Sequence, residues 1–148
     1  HNFAKWGNKV SNPGRGWVMV QSESLNPDAI TEAMLSGNFY SSSGVALKNV
    51  KRSKGSITIE IDNKATEKEL TSDILFGTKV KAGKPGYEIS FIGPEGKVVK
   101  TVHGTSATCK VPDGNAFLRG KVTLRKHRKD GTVGAYYAWT QPVFTDGR

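Results

Sequence analysis

From Val45 to Phe144 the sequence is divided into short segments of alternating apolar and polar residues, separated by Gly, Pro, Asn and Asp. In SITIEID, for example, Ile57, Ile59 and Ile61 are predicted to share one face of a strand. This spacing is typical of β-sandwiches and predicts about seven strands. We therefore expect a mainly β fold, an antiparallel β-sandwich, with a β-barrel as the alternative architecture.

Two of the predicted turns are specific. The GPEG segment at Pro94 and Gly96 separates two strand-like runs, and Asp130-Gly131 is the strongest short hairpin signal in the chain. The segment NKATEKELTSDILFG is ambiguous, because its apolar residues cluster at its end. It fits either a short helix or a long connection between strands.

The segment before Ser41 has a different pattern. GWVMVQ, residues 16–21, is predicted to be a buried strand. A helix from Pro27 to Ser36 follows, with Asn26 as its N-cap and Gly37 at its end, and it is the one convincing helix in the sequence.

A change of composition near SSSG, residues 41–44, predicts a domain boundary, with residues 1–44 on one side and residues 45–148 on the other. The first segment is too small to enclose a core, so we expect it to pack against the sandwich or, as the alternative, against a second copy of the chain in a dimer. Five of its apolar residues should then be largely buried: Trp17, Val18, Val20, Ile30 and Met34.

The chain is basic, with 22 Lys and Arg against 13 Asp and Glu and a formal net charge of +9. One predicted strand carries a basic stripe opposite Val122 and Leu124, consisting of Arg119, Lys121, Arg125 and His127. We interpret this stripe as a solvated face, because it lacks the interleaved exposed aromatics of single-strand binders. Nucleic acid is therefore a possible partner but not the favoured one.

Three aromatic residues follow in AYYAWTQPVF, and we assign them to the core and its edge, with a sugar-stacking surface as the alternative: Tyr136, Tyr137 and Trp139. The three histidines are far apart in sequence, and no nucleophile motif is present. The single Cys109 excludes an internal disulfide. No apolar run approaches the roughly 18 residues of a membrane span, so no membrane partner is predicted, and the sequence indicates no compartment.

The segment from His1 to Val45 resembles the C-terminal end of the PHP (polymerase and histidinol phosphatase) family of metal-dependent phosphoesterases. The resemblance rests on the opening histidine, NPGRGWVMV, LNPDAITEAMLSG and NFYSSSGV. The final AYYAWTQPVF is similar to the closing strand of a β-sandwich that follows the catalytic barrel in one branch of the family.

This resemblance implies that residues 1–44 are the remnant of a β/α barrel whose metal ions are held by histidines and carboxylates. His1 matches the histidine of the last Asp-x-His ligand motif and is a candidate metal ligand. In the intact protein, water activated by divalent Zn, Mn or Fe would attack a phosphoester. Arg15 and Lys5 are candidate phosphate-binding residues if their loop lies at the barrel mouth.

We therefore predict that the chain is the C-terminal fragment of a metal-dependent phosphoesterase. It is expected to hold no catalytic residue or metal cluster and to be inactive alone, since one ligand cannot hold a metal cluster. Its predicted partner is the N-terminal catalytic barrel of the same protein, whose substrate would be a phosphoester. The alternative is a β-sandwich binding module for carbohydrate, nucleic acid or a protein partner.

Overall fold

Antiparallel strands dominate the computed structural model, which describes residues 4–5, 7, 9–72, 74–80, 83–128 and 131–145. The elements in chain order are β1 (Trp17–Val20), α1 (Pro27–Leu35), β2 (Phe39–Ser42), β3 (Leu47–Ser53), β4 (Ser56–Ile61), α2 (Asn63–Glu69), β5 (Thr78–Val80), β6 (Gly86–Ile92), a 3-10 turn (Pro94–Gly96), β7 (Val98–His103), β8 (Ser106–Lys110), β9 (Phe117–His127), β10 (Val133–Thr140) and β11 (Val143–Phe144).

The larger of two sheets has the strand order β1-β2-β10-β9-β6-β7, with β5 paired to β10 and β11 paired to β9. The smaller sheet has the order β3-β4-β8. All the pairings between these strands are antiparallel. The predicted mainly β, antiparallel fold is thus confirmed, and the two facing sheets are consistent with a sandwich.

The core lies between the two sheets. On β4, Ile57 and Ile59 are fully buried and Ile61 is 7% exposed, as the alternation in SITIEID predicts. The large sheet contributes Phe91 from β6 and Val122 from β9 to the same apolar cluster. Alternation of side chains across each strand therefore places one face of every central strand in this core.

Both predicted hairpins form. The strands β6 and β7 pair across Pro94–Gly96, where Glu95 and Gly96 both have positive φ angles. The strands β9 and β10 pair from Val133 opposite His127 onward. Gly131 lies in the connection between them with a φ of 78°. Asp130 lies outside the described residues.

The described residues from Val45 to Phe144 form nine strands, β3 to β11. This number exceeds the prediction of about seven strands from turn spacing. Two of the nine are very short: β5 has three residues and β11 has two. Segments of that length carry too little alternation to be recognised in a sequence.

The helix α1 confirms its sequence signals. The Asn26 side chain accepts a hydrogen bond from the backbone N–H of Ala29 at 2.9 Å, and Pro27 occupies the first turn. At the other end, the N–H of Gly37 donates to the carbonyl of Met34, with a φ of 70° at Gly37. The positive φ angle explains why glycine suits this position.

A second helix, α2, occupies the first part of the ambiguous segment. Its N-cap is Asp62, whose side chain accepts a hydrogen bond from the N–H of Ala65 at 2.9 Å. Of the two interpretations that the sequence allowed, the short helix is therefore the observed one. No helix in the described part of the chain is long and apolar enough to span a membrane.

The segment before residue 45 is integrated into the large sheet. β1 pairs with β2, and β2 pairs with β10, both antiparallel. The structure therefore does not show a remnant of a β/α barrel, in which strands would run parallel. The predicted division into residues 1–44 and 45–148 stays a prediction.

The expected burial of this segment is wrong in part. Val18 is 47% exposed and Met34 is 43% exposed, whereas Trp17, Val20 and Ile30 are half-buried. The physical reason is position, since β1 forms an edge of the large sheet and Ala33 is the one buried residue of α1.

Candidate functional site

The predicted phosphate-binding residue Arg15 is engaged within its own loop. One terminal nitrogen, Nη1, donates to the carbonyl of Val10 at 2.6 Å, and Nη2 donates to Asn12 Oδ1 at 2.9 Å and to the carbonyl of Gly7. The guanidinium also lies 4.9 Å from the ring centroid of Phe76. These contacts tie Arg15 to Gly7, Val10 and Asn12 of its own loop, and its role toward phosphate stays a prediction.

Asn12 connects Arg15 to the other predicted phosphate ligand. Asn12 is 4% exposed, and its side-chain nitrogen donates to the backbone carbonyl of Lys5 at 2.8 Å. The structure thus brings the backbone of Lys5 and the guanidinium of Arg15 onto the same buried amide. The Lys5 side chain is exposed, and His1 lies outside the described residues.

The described residues do not supply a set of metal ligands. Among them, no group of three or more His, Cys, Asp or Glu is placed to hold a metal ion. A metal-dependent reaction needs such a cluster, because one ligand does not fix the geometry of a divalent cation. Of the metal centre that the resemblance implies, this chain would supply only His1, which lies outside the described residues.

A different feature stands out on the outer surface of the large sheet, which we call the cation–aromatic face: Arg119, Lys121, Tyr137 and Trp139. The Arg119 guanidinium lies 5.0 Å from the Trp139 ring centroid. The Lys121 ammonium lies 4.8 Å from the Trp139 ring and 5.0 Å from the Tyr137 ring. The two cations and two rings therefore form one continuous patch.

Strand register produces this patch. β9 and β10 pair so that Lys121 lies opposite Trp139 and Thr123 lies opposite Tyr137. Because side chains alternate, Arg119 and Lys121 face outward while Val122 is buried in the core. The assignment of aromatics to the core is confirmed for Tyr136, which is 8% exposed, but Tyr137 and Trp139 lie half-buried on the outer face.

This arrangement removes one argument for interpreting the basic stripe as a solvated face, and that interpretation stays a prediction. The stripe does have aromatic neighbours, but they belong to the adjacent strand and are invisible in the sequence of β9 alone. One other member of the stripe, Arg125, differs from Arg119 and Lys121. Arg125 forms an ion pair with Glu88 at 3.1 Å, whereas Arg119 and Lys121 form no ion pair with any residue in the described ranges.

A cleft of about 500 Å³ opens beside the cation–aromatic face. Arg119 and Trp139 form part of its wall, together with Phe117 and Phe144, whose ring centroids are 6.0 Å apart. Polar groups are supplied by Ser41, Thr140 and Gln141. The cleft thus combines aromatic surface, hydrogen-bonding groups and a cation, which are the elements of a ligand site.

The second feature is a group of exposed apolar side chains at the β1 edge of the large sheet, contributed by both faces of β1, by α1 and by the connection between them. We call this group the β1–α1 surface: Val18, Met19, Leu25, Met34 and Leu35. Leu25 is 97% exposed and Leu35 is 84% exposed. Exposed apolar residues that are grouped at one edge of a fold mark an interaction site more often than scattered ones do.

A cleft of about 300 Å³ adjoins this surface and is lined by residues of β1 and β2 on one side and of β3 on the other. Its lining includes Met19, Phe39 and Val50, with Arg52 on one side. The Arg52 guanidinium donates to the carbonyl of Ser36 at 3.2 Å and to Asn38 Oδ1 at 2.7 Å. Burial lowers the pKa of Arg52, and these acceptors hold its charge at the end of α1.

No family model, curated protein or solved structure was found to match this chain. The resemblance to the PHP family accordingly stays a prediction that rests on the residues from His1 to Val45 and on the final AYYAWTQPVF. Sequence inspection alone did not find the two features described above. The cross-strand pairing of Lys121 with Trp139 was the missing signal for the cation–aromatic face.

Proposed function

We propose that this chain is the C-terminal part of a metal-dependent phosphoesterase resembling the PHP family, and that it supports the catalytic domain without carrying out catalysis. The observation that carries the proposal is the β1–α1 surface. Its apolar residues fall within the same segment, residues 1–44, whose motifs resemble the end of the catalytic barrel.

Water-exposed apolar area is unfavourable, at about 25 cal/mol for each Å². Leu25, Met34 and Leu35 would lose most of that exposure against a second apolar surface. The proposed second surface is the catalytic domain of the same polypeptide. The β1 edge would at the same time offer backbone N–H and C=O groups to a strand of the catalytic domain, as an exposed sheet edge can.

The first experiment compares the longer polypeptide encoded by the gene with this chain alone. Hydrolysis of p-nitrophenyl phosphate is measured with Mn²⁺, Zn²⁺ or Fe²⁺ added to metal-free protein. We expect the longer protein to be active only with metal and this chain to be inactive under all conditions. Activity of this chain alone, or metal-independent activity of the longer protein, would contradict the proposal.

The second experiment tests the packing itself. Hydrogen exchange at residues 18–20 and 33–35 should be slower in the longer protein than in this chain. The double variant Val18→Asp, Met34→Asp should lower the melting temperature of the longer protein and leave this chain unchanged. Val98→Asp is the matched control, because Val98 is 54% exposed on β7, at the opposite edge of the same sheet.

A further inference from the structure

We propose that the cation–aromatic face and the adjoining cleft bind single-stranded nucleic acid. This inference does not use the β1–α1 surface. The cation–aromatic face lies on β9 and β10, and β2 separates β10 from β1 in the sheet order. The inference rests on the geometry of two cations, two aromatic rings and one cleft.

The first step concerns the charges. Arg119 and Lys121 are two residues apart on one strand, so their α-carbons are about 7 Å apart on the same face. Aromatic rings hold both charged groups without neutralising them. Two like charges that close repel one another, and the described residues provide no carboxylate for either. An anionic ligand would relieve this repulsion.

The second step concerns the kind of anion. A single strand of nucleic acid presents phosphates in series together with bases whose π faces stack on aromatic side chains and on guanidinium groups. The face supplies both kinds of contact, with Lys121 and Arg119 for phosphate and with Trp139 and Phe117 for bases. The formal net charge of +9 would steer such a polyanion toward the protein.

The third step excludes a duplex as the preferred form. In double-stranded DNA the base faces are stacked and hidden, and the grooves admit a helix or a two-stranded ribbon. The cation–aromatic face instead lies on a broad sheet surface, between β2 and β6 in the strand order. Aromatic side chains on the face of a sheet suit unstacked bases, as they do in sheet-based readers of single-stranded RNA.

The test measures fluorescence anisotropy of labelled oligo(dT) and oligo(U) of about 12 nucleotides, a length within the range of a single-strand site. The double variant Arg119→Gln, Lys121→Gln should weaken binding and reduce the slope of log K against log salt by about 1.4, or 0.7 for each lost phosphate contact. Trp139→Leu should weaken binding about tenfold and leave the slope unchanged, because stacking is not ionic.

The matched control is Lys48→Gln, Lys51→Gln, which removes the same charge from exposed positions on β3 of the smaller sheet. We expect this control to bind nearly as the unmodified chain does. If both double variants lose the same oligonucleotide affinity, the proposal is overturned in favour of diffuse attraction of polyanions. The same conclusion follows if heparin binds as tightly as the oligonucleotides and Trp139→Leu has no effect. Absence of oligonucleotide binding even at low ionic strength, at about 50 mM salt, would overturn the proposal outright.

Discussion

Ile59 of β4 packs against the backbone of Gly120 of β9 so closely that no space remains for a β-carbon at residue 120. The Gly120 N–H also donates to Thr140 Oγ1 at 2.8 Å, which fixes β9 against the end of β10. Ile59 belongs to the smaller sheet and Gly120 to the larger one. The missing side chain at residue 120 therefore sets how closely the two sheets approach.

Gly120→Ala should destabilise the protein by about 1–3 kcal/mol, because the added methyl group overpacks the contact with Ile59. Ile59→Val removes the Cδ1 atom that would collide and should cost about 0.5–1.5 kcal/mol alone. In urea unfolding, the double variant should be more stable than the sum of the single effects by at least about 0.5 kcal/mol.

Gly16→Ala is the control for this cycle. A β-carbon there would lie 3.6 Å from the carbonyl oxygen of Ser42, an ordinary contact. We expect a change within about 0.5 kcal/mol. Strict additivity of Gly120→Ala and Ile59→Val would show that the two residues are not in the contact described.

Asp62→Ala should cost about 0.5–2 kcal/mol, because it removes the acceptor for the Ala65 N–H at the start of α2. Asp62→Asn keeps an oxygen acceptor in the same place. Its free energy of unfolding should differ from that of the unmodified protein by only about a few tenths of a kcal/mol. Urea unfolding followed by circular dichroism measures both. Equal destabilisation by the two variants would point to the charge and not to the cap.

Local patterns predicted the central strands and α1 because each of these elements carries its own signal. Ile57, Ile59 and Ile61 alternate within one strand, and Asn26 and Gly37 mark both ends of one helix. By contrast, α2 has seven residues and only Thr66 is buried within it. A helix that short and that weakly amphipathic is stabilised by its cap and its packing, which a hydrophobic period does not report.

The candidate site was less predictable because it depends on pairing between strands. Lys121 and Trp139 are eighteen positions apart, and their contact follows from the register of β9 with β10. Exposure of Val18 and Met34 likewise depends on which strand forms the sheet edge. Neither the register nor the edge is encoded in any single segment.

Cys109 should react very slowly with Ellman's reagent in the native protein at pH 8. The residue is 8% exposed, and burial raises the pKa of its thiol, with the Lys100 ammonium opposing that shift only in part. The reactive thiolate is therefore scarcer in the folded state than in the unfolded state, where the pKa falls back to its ordinary range. In urea the thiol should react completely within the time of denaturation. Rapid stoichiometric labelling in native buffer would contradict the burial of Cys109 on β8.

Thr66→Val should destabilise the protein by about 1–3 kcal/mol, although valine has nearly the shape of threonine. Thr66 is fully buried, and its hydroxyl oxygen accepts a hydrogen bond from the N–H of Ala46 at 2.9 Å, at the point where the chain enters β3. Valine would leave that N–H buried without an acceptor. Thr66→Ser is the matched control, since it keeps the hydroxyl and loses one methyl group, at a cost of about 1 kcal/mol.

Urea unfolding gives the free energies of both variants, and hydrogen exchange at Ala46 separates the loss of the hydrogen bond from the loss of packing. Exchange there should accelerate in the valine variant and stay slow in the serine variant, whereas equal protection in both would show that the hydroxyl does not hold this junction.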